Sequence, residues 1–264
     1  MKREIPTHAV MIDRRTGMEV GARVLIDPND WPYGTIEPSE ILWRNMDIWK
    51  FADMLKKAAI YFARQDRFED PLEGRFSQTN SVGFSASDRA FYDAYSPAVS
   101  PDYIKQQLET HRHCVFISCW QRNTKEAREM WNAYTKSPDS VVVTTSAKAL
   151  YALFSEDIMK SPVRYHGIDF ARSQSFGWNA PAFYKPSRYS FEREFRMLRN
   201  LGKDESVSFD SPCDYGRYVQ FKPKKAIHRV VTHPRATETS KRAVEALMGD
   251  YLGALKRENS TLLS

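Results

Sequence analysis

The chain has 264 residues, of which 42% are hydrophobic, 27% charged and 13% aromatic, a composition that supplies a sizeable core and excludes a disordered or low-complexity chain. Its formal net charge of +6 permits phosphates or an acidic partner without requiring either. Three cysteines without a CxxC pair, no apolar run of membrane-spanning length and no leader-like start exclude a disulfide framework and a membrane span, and predict a soluble, cytoplasmic protein with free thiols.

Residues 1–40 read as an N-terminal hairpin or extension. Ala9–Asp13 and Glu19–Ile26 are its strands, Arg14-Arg15-Thr16-Gly17 its turn, and residues 27–34 a following loop. Residues 41–264 read as one α+β domain. Ile41-Leu42-Trp43-Arg44 is a short apolar run ending in a cation. Met46, Trp49, Phe51, Met54, Leu55 and Ala58 then recur near helical spacing, which predicts a helix over 46–58 with these residues inward. Ala59–Ala63 is a strand. Residues 64–76 form a structured loop with four acids and three arginines, and 77–100 a long excursion suited to binding. Ser100-Pro101 opens a helix to about His111.

Cys114–Trp120 is a buried strand, and a helix from Thr124 turns Met130, Trp131 and Tyr134 inward. Ser140–Thr145 is a strand whose end, Ser146, caps a helix over 147–155. Strands follow at 163–168, 182–184, 218–221 and 227–232, and an amphipathic helix from Thr237 to about Arg257 closes the chain. The fold class is α+β: a mixed, largely antiparallel central sheet flanked by helices.

The most chemically loaded stretch is Tyr184–Arg199. Glu192, Glu194 and Arg196 recur at every second position, so a strand over 192–199 places them on one face. That face is either a solvated outer surface or a polar pocket in which Arg196 keeps a carboxylate ionised.

Four short signatures occur in order: Arg67-Phe68-Glu69-Asp70-Pro71-Leu72-Glu73-Gly74, Phe116–Trp120 with Met130–Tyr134, Val141-Val142-Val143, and Lys185 followed by Tyr189–Arg196. Together they resemble the bacterial domain of unknown function 2971 family over residues 41–232. The chain departs from that family's pattern at Glu69, Leu72 and Trp120-Gln121, where Asn, Phe and Phe-Ser are usual. The resemblance implies an architecture and a defence-associated bacterial setting more than a chemistry.

The order Arg44, Ser118, Glu192-x-Glu194 is also similar to that of Arg–Ser–Glu mono-ADP-ribosyltransferases. This likeness implies a split sheet, NAD as the ADP-ribose donor, and a nucleic acid or protein as acceptor. Arg44 would clamp the pyrophosphate, with Tyr184, Lys185, Tyr189 and Arg196 as further binding residues. Ser118, Glu192 and Glu194 would be catalytic, the last glutamate stabilising oxocarbenium character and the first orienting the acceptor. Phe68, Glu69, Asp70, Glu73, Cys119, Trp120, Trp131 and Tyr134 complete the expected cleft.

Two other readings stay open. Glu69, Asp70 and Glu73 with the 192/194 pair are oxygen donors of the kind Mg²⁺ takes in a metal-dependent nuclease, although no lysine follows the second acid. Alternatively the acids and arginines order a cleft that binds a nucleotide or partner without turnover. The histidines show no metal-ligand spacing, and neither a P-loop nor a GxGxxG run occurs.

Overall fold

His8–Ile12 (β1) and Glu19–Leu25 (β2) pair antiparallel as the sequence predicts, with His8 opposite Leu25 and Ile12 opposite Glu19. This computed structural model describes residues 8–12, 19–25, 34–70, 73–74, 106, 109–135, 137–166, 179–202, 205–206, 208, 211 and 214–262. The expected turn at 14–17, the excursion over 77–100 and the helix start at 100–101 lie outside the described residues.

Ile41–Asp47 (β3) leads without a loop into the helix Ile48–Lys57 (α1). Phe51, Met54 and Leu55 form its buried stripe, at i, i+3 and i+4. Lys56 and Lys57 lie in its last turn, beside the carbonyl end of the helix dipole. Ala58, at φ 47°, ends the helix by returning its N–H to Leu55 and Met54. Trp49, expected inward, is 66% exposed. At about 100° per residue it lies roughly 160° around the helix from Phe51. The periodicity alone suggests a six-membered stripe, and the helix buries the tighter three.

Ala59–Arg64 (β4) follows, and Val115–Arg122 (β5) is almost wholly buried. Arg128–Tyr134 (α2) starts four residues later than the sequence predicts. Ser140–Ser146 (β6) ends in the expected cap, the Ser146 Oγ accepting the Ala149 N–H at 3.2 Å at the start of Ala147–Leu153 (α3). Met159–Pro162 (β7) has no counterpart among the expected strands. Arg164–His166 (β8) pairs in parallel with Tyr184–Pro186 (β9) as a separate small sheet.

Ser187–Glu192 is a 3-10 turn, and Arg193 sits in the left-handed region at φ 44°. The strand expected over 192–199 therefore begins at Glu194 and runs to Asn200 (β10). Gly216–Gln220 (β11), the short helix Pro223–Ala226 (α4), Arg229–Thr232 (β12) and Glu238–Leu252 (α5) follow. The closing helix stops at Leu252, and Arg257–Asn259 (β13) joins the sheet in parallel beside β12.

Among the described residues the main sheet has nine strands, largely antiparallel, in the order β11-β4-β5-β3-β6-β12-β13, with β10 on the other edge of β5 and β7 beyond it. One edge of β5 is shared. β3 pairs with its end, Leu42 opposite Arg122 and Trp43 opposite Gln121. β4 pairs with its beginning, Ala63 opposite Ile117 and Arg64 opposite Phe116. Between them, Ser118, Cys119 and Trp120 have no ladder partner on that edge, so the sheet splits there. The largest core fills one face, where Phe51, Leu55, Leu150, Val244 and Met248 from α1, α3 and α5 meet Phe62, Phe116, Trp120, Phe195 and Val230. The opposite face carries two smaller clusters, one around Phe183, Ile117 and Leu198 and one around Trp43, Trp131 and Val231.

Candidate active site

Arg44 stands in the split. Its Nη1 donates to Ser118 Oγ at 2.7 Å and its Nη2 to the Tyr61 carbonyl at 3.1 Å, so one guanidinium ties β3 to β5 and β4. Its Cζ lies 5.7 Å from the Trp120 ring centroid. Burial lowers the Arg44 pKa to about 10, which still leaves it cationic at neutral pH.

Arg44 lines a cleft of about 1300 Å³. Tyr61, Ala63, Ile117, Cys119, Gln121 and Glu194 line it from β4, β5 and β10. Asn132–Thr135, the side chains of Phe68, Glu69, Asp70 and Glu73, and those of Lys185, Arg188, Tyr189 and Glu192 line it from the sides. A space of that size admits a dinucleotide.

At one end of the cleft a buried ion network joins three segments. Arg196 bonds both Glu73 oxygens, at 2.6 and 3.1 Å, and Glu194 Oε2 through Nε at 2.7 Å. Lys185 Nζ lies 2.6 Å from Glu192, 3.4 Å from Glu194 and 3.8 Å from Glu73. Tyr134 O–H reaches Glu194 Oε1 at 3.5 Å, and the Glu194 N–H donates to Tyr165 Oη at 2.7 Å.

Two cations thus face three carboxylates, Glu73, Glu192 and Glu194. Burial pushes the Glu194 carboxyl up, but the charges of Arg196 and Lys185 outweigh it and hold the group below the usual range. Glu192 goes the other way. Burial and the charge of Glu194 raise it against its hydrogen bond from Lys185. Burial opposes the charge on Arg196 and Lys185 as well, yet the surrounding glutamates raise both. Glu192 is thus the carboxylate of the network that is most readily protonated, although Lys185 lies 2.6 Å from it. Cys119 is pushed up to about 12 by burial and then by Glu194, which leaves it a neutral thiol and no nucleophile.

Of the residues expected at the site, Arg44, Phe68, Glu69, Asp70, Glu73, Cys119, Trp120, Tyr134, Lys185, Tyr189, Glu192 and Glu194 line this one cleft. Four do not. Ser118 is buried and its hydroxyl is taken by Arg44. Arg196 is buried beneath the carboxylates and acts on them rather than on the open space. Tyr184 is buried in β9. Trp131 turns into the cluster with Trp43, its Nε1 donating to Glu126 at 2.8 Å. Glu192, Glu194 and Arg196 are also not a solvated strand face: all three are buried, and Glu192 reaches the network from a turn.

No protein-family model matches the chain, and no curated protein matches it. A solved structure similar in outline is DarT of Thermus sp. 2.9 in complex with ADP-ribosylated ssDNA. It is 7% identical, with a TM-score of 0.38 over 86% of this chain and 96% of that one. A likeness that distant says nothing about what this chain binds.

Several cleft residues carry little or no signal in the sequence. Tyr61 and Tyr218 face each other across β4 and β11 with ring centroids 5.2 Å apart, and Trp49 and Asp53 border the same space from α1. Tyr61 is signalled by its alternation with the buried Ile60 and Phe62; Tyr218 has no such mark without knowledge of the pairing. The divalent-ion arrangement expected from Glu69, Asp70, Glu73 and the 192/194 pair is not formed: Glu73 and Glu194 are held by Arg196. Among the described residues no three His, Cys, Asp or Glu side chains group as a metal site requires. No helix among the described residues is long and apolar enough to cross a membrane.

Proposed function

We propose that this chain, as a relative of the domain of unknown function 2971 family, uses the cleft to take NAD as substrate and transfer its ADP-ribose to a macromolecular acceptor. The observation that carries the reading is that Glu192, a carboxylate of a buried ion network, shares one cleft with Arg44, a cation set in the split of the sheet. Arg44 and Arg188 suit the pyrophosphate, and Tyr61, Tyr134 and Tyr189 offer aromatic surface for the flat rings of a dinucleotide. Ser118 leaves the expected catalytic set and becomes the residue that orients Arg44.

In the reaction the bond from the ribose anomeric carbon to the nicotinamide nitrogen breaks, and nicotinamide leaves neutral. Positive charge builds on the ribose, and the nearby carboxylates stabilise it. The acceptor nucleophile bonds the anomeric carbon and passes its proton to Glu192, whose raised pKa suits a base. Glu194, kept ionised by Arg196 and Lys185, is the fixed anion beside it. Incubating the full chain with NAD and measuring nicotinamide release tests the reading. Release that falls by a factor of about 10²–10⁴ in Glu192→Gln is expected. No release, with or without cell extract, overturns it.

A further inference from the structure

The end of the cleft farthest in chemistry from the carboxylates is aromatic and basic. Trp49, Asp53 and Lys57 recur at i, i+4 and i+8 on α1, on the side opposite its buried stripe. Trp49 is 66% and Tyr218 43% exposed, and both line the cleft. A tryptophan so exposed on a helix that already has a complete apolar face serves no core.

Each ring is accompanied by an ammonium. Lys50 Nζ lies 5.2 Å from the Trp49 ring and Lys57 Nζ 3.9 Å from that of Tyr218. Asp47 and Asp53 offset Lys50 and Lys57. The Phe221 N–H bonds the Ala58 carbonyl at 2.9 Å, which brings the start of the exposed run Lys222, Lys224 and Lys225 to the C-terminal end of α1, and α1 and β11 hold no acid other than Asp53.

We infer that this shelf, Trp49 to Tyr218 with its lysine corner, is the binding surface for a single-stranded nucleic acid whose reactive group reaches the carboxylate end of the cleft. The inference rests on the transferase reading and names its acceptor. Exposed aromatic rings such as Trp49 stack on unpaired bases, and lysines beside them bind the backbone in any sequence. Trp49 and Lys57 are eight residues apart, about 12 Å along the helix, a span of roughly three or four stacked nucleotides. The backbone lies at the basic corner, where Lys222, Lys224 and Lys225 are exposed, rather than at the end where Glu192 and Glu194 line the cleft.

The test is fluorescence anisotropy of the full chain with labelled 12-nucleotide DNA and RNA, the corresponding duplexes, and poly-glutamate, over a range of salt. Single strands are expected to bind best. Trp49→Ala should weaken them about tenfold or more. A Lys222→Gln/Lys224→Gln/Lys225→Gln variant should flatten the slope of log K against log salt by about 0.7 for each phosphate no longer neutralised. All four positions are exposed, and circular dichroism confirms that the variants fold. Absence of binding, equal affinity in the variants, preference for duplex, or poly-glutamate binding as tightly as the oligonucleotides each overturns the inference. Nicotinamide release from NAD is measured in parallel, with and without the oligonucleotide and cell extract. Oligonucleotide binding without release removes the chemistry and leaves the interface; release without oligonucleotide binding removes the interface and leaves the chemistry.

Discussion

Glu192 and Glu194, two residues apart, are driven in opposite directions by their surroundings, and that divergence fixes what pH should do. Glu194 has its folded pKa lowered, because Arg196 and Lys185 favour its charged form over burial. Its contribution to stability is therefore present above the ordinary glutamate value and lost as pH falls through the depressed one. Glu192 has its folded pKa raised, so it favours the fold when protonated and that contribution is lost as pH rises through the raised value. Catalysis needs Glu192 as a base, so nicotinamide release should climb with pH through an inflection above the usual glutamate range. Glu192→Gln should remove that inflection, and an unchanged profile in the variant assigns the titration to another group. Arg196 is the other residue whose loss is readable. Replacing it by Met leaves Glu73 and Glu194 buried with Lys185 as their remaining cation, at a cost of about 3–5 kcal/mol, measured by urea denaturation.

At the scale of an element, the segment that brings Glu73 to Arg196 depends on Gly74. Its φ is +67°, and a Cβ there would lie 1.8 Å from the Gln65 Nε2. Gly253 makes the comparison clean, since its φ is +71° and a Cβ would meet nothing within 4 Å. Gly74→Ala carries the strain of a positive φ, about 1 kcal/mol, and Gly253→Ala, at ψ −122°, carries at least as much, but only Gly74→Ala should also lose the Glu73–Arg196 pairing. Its melting temperature is therefore expected to fall well below that of Gly253→Ala; equal falls would show that Gln65 simply moves aside. The same contrast explains what is legible in the sequence. Ser140–Ser146 with its Ser146 cap, the buried run of β5 and the Phe51–Met54–Leu55 stripe announce themselves through local periodicity. The 3-10 turn at Ser187–Glu192 does not, because its residues alternate in type and only the left-handed Arg193 resets the face that Glu194 occupies. The convergence of Arg44, Glu73, Glu192 and Glu194 is readable as an order of motifs. The capture of Ser118 by Arg44 is not, because it follows from a split in the sheet that no local pattern encodes.

Across the whole molecule, the cleft's α2 wall is held from the far end of the chain. With seven residues, α2 is too short to persist on its own. Trp131 anchors it into the cluster with Trp43 and Val231, and Leu262 packs against that same cluster. Glu126, just ahead of the helix, accepts from Trp131 Nε1 at 2.8 Å, from Thr261 N at 2.9 Å and from the hydroxyls of Ser260 and Thr261. These contacts fall on residues beyond β13, whose parallel pairing with β12 delivers them to α2. The other end of the helix, Asn132–Thr135, lines the cleft and carries Tyr134 to Glu194. Shortening the chain after Asn259 should therefore loosen α2 without touching the sheet. Amide exchange over Arg128–Tyr134 is expected to quicken at least about tenfold while β6 keeps its protection, and NAD affinity should drop with it. Glu126→Ala should reproduce both effects in the full-length chain. Unchanged exchange in both variants would mean that Trp131 alone seats the helix, and that Tyr134 reaches Glu194 without help from residues 260–262.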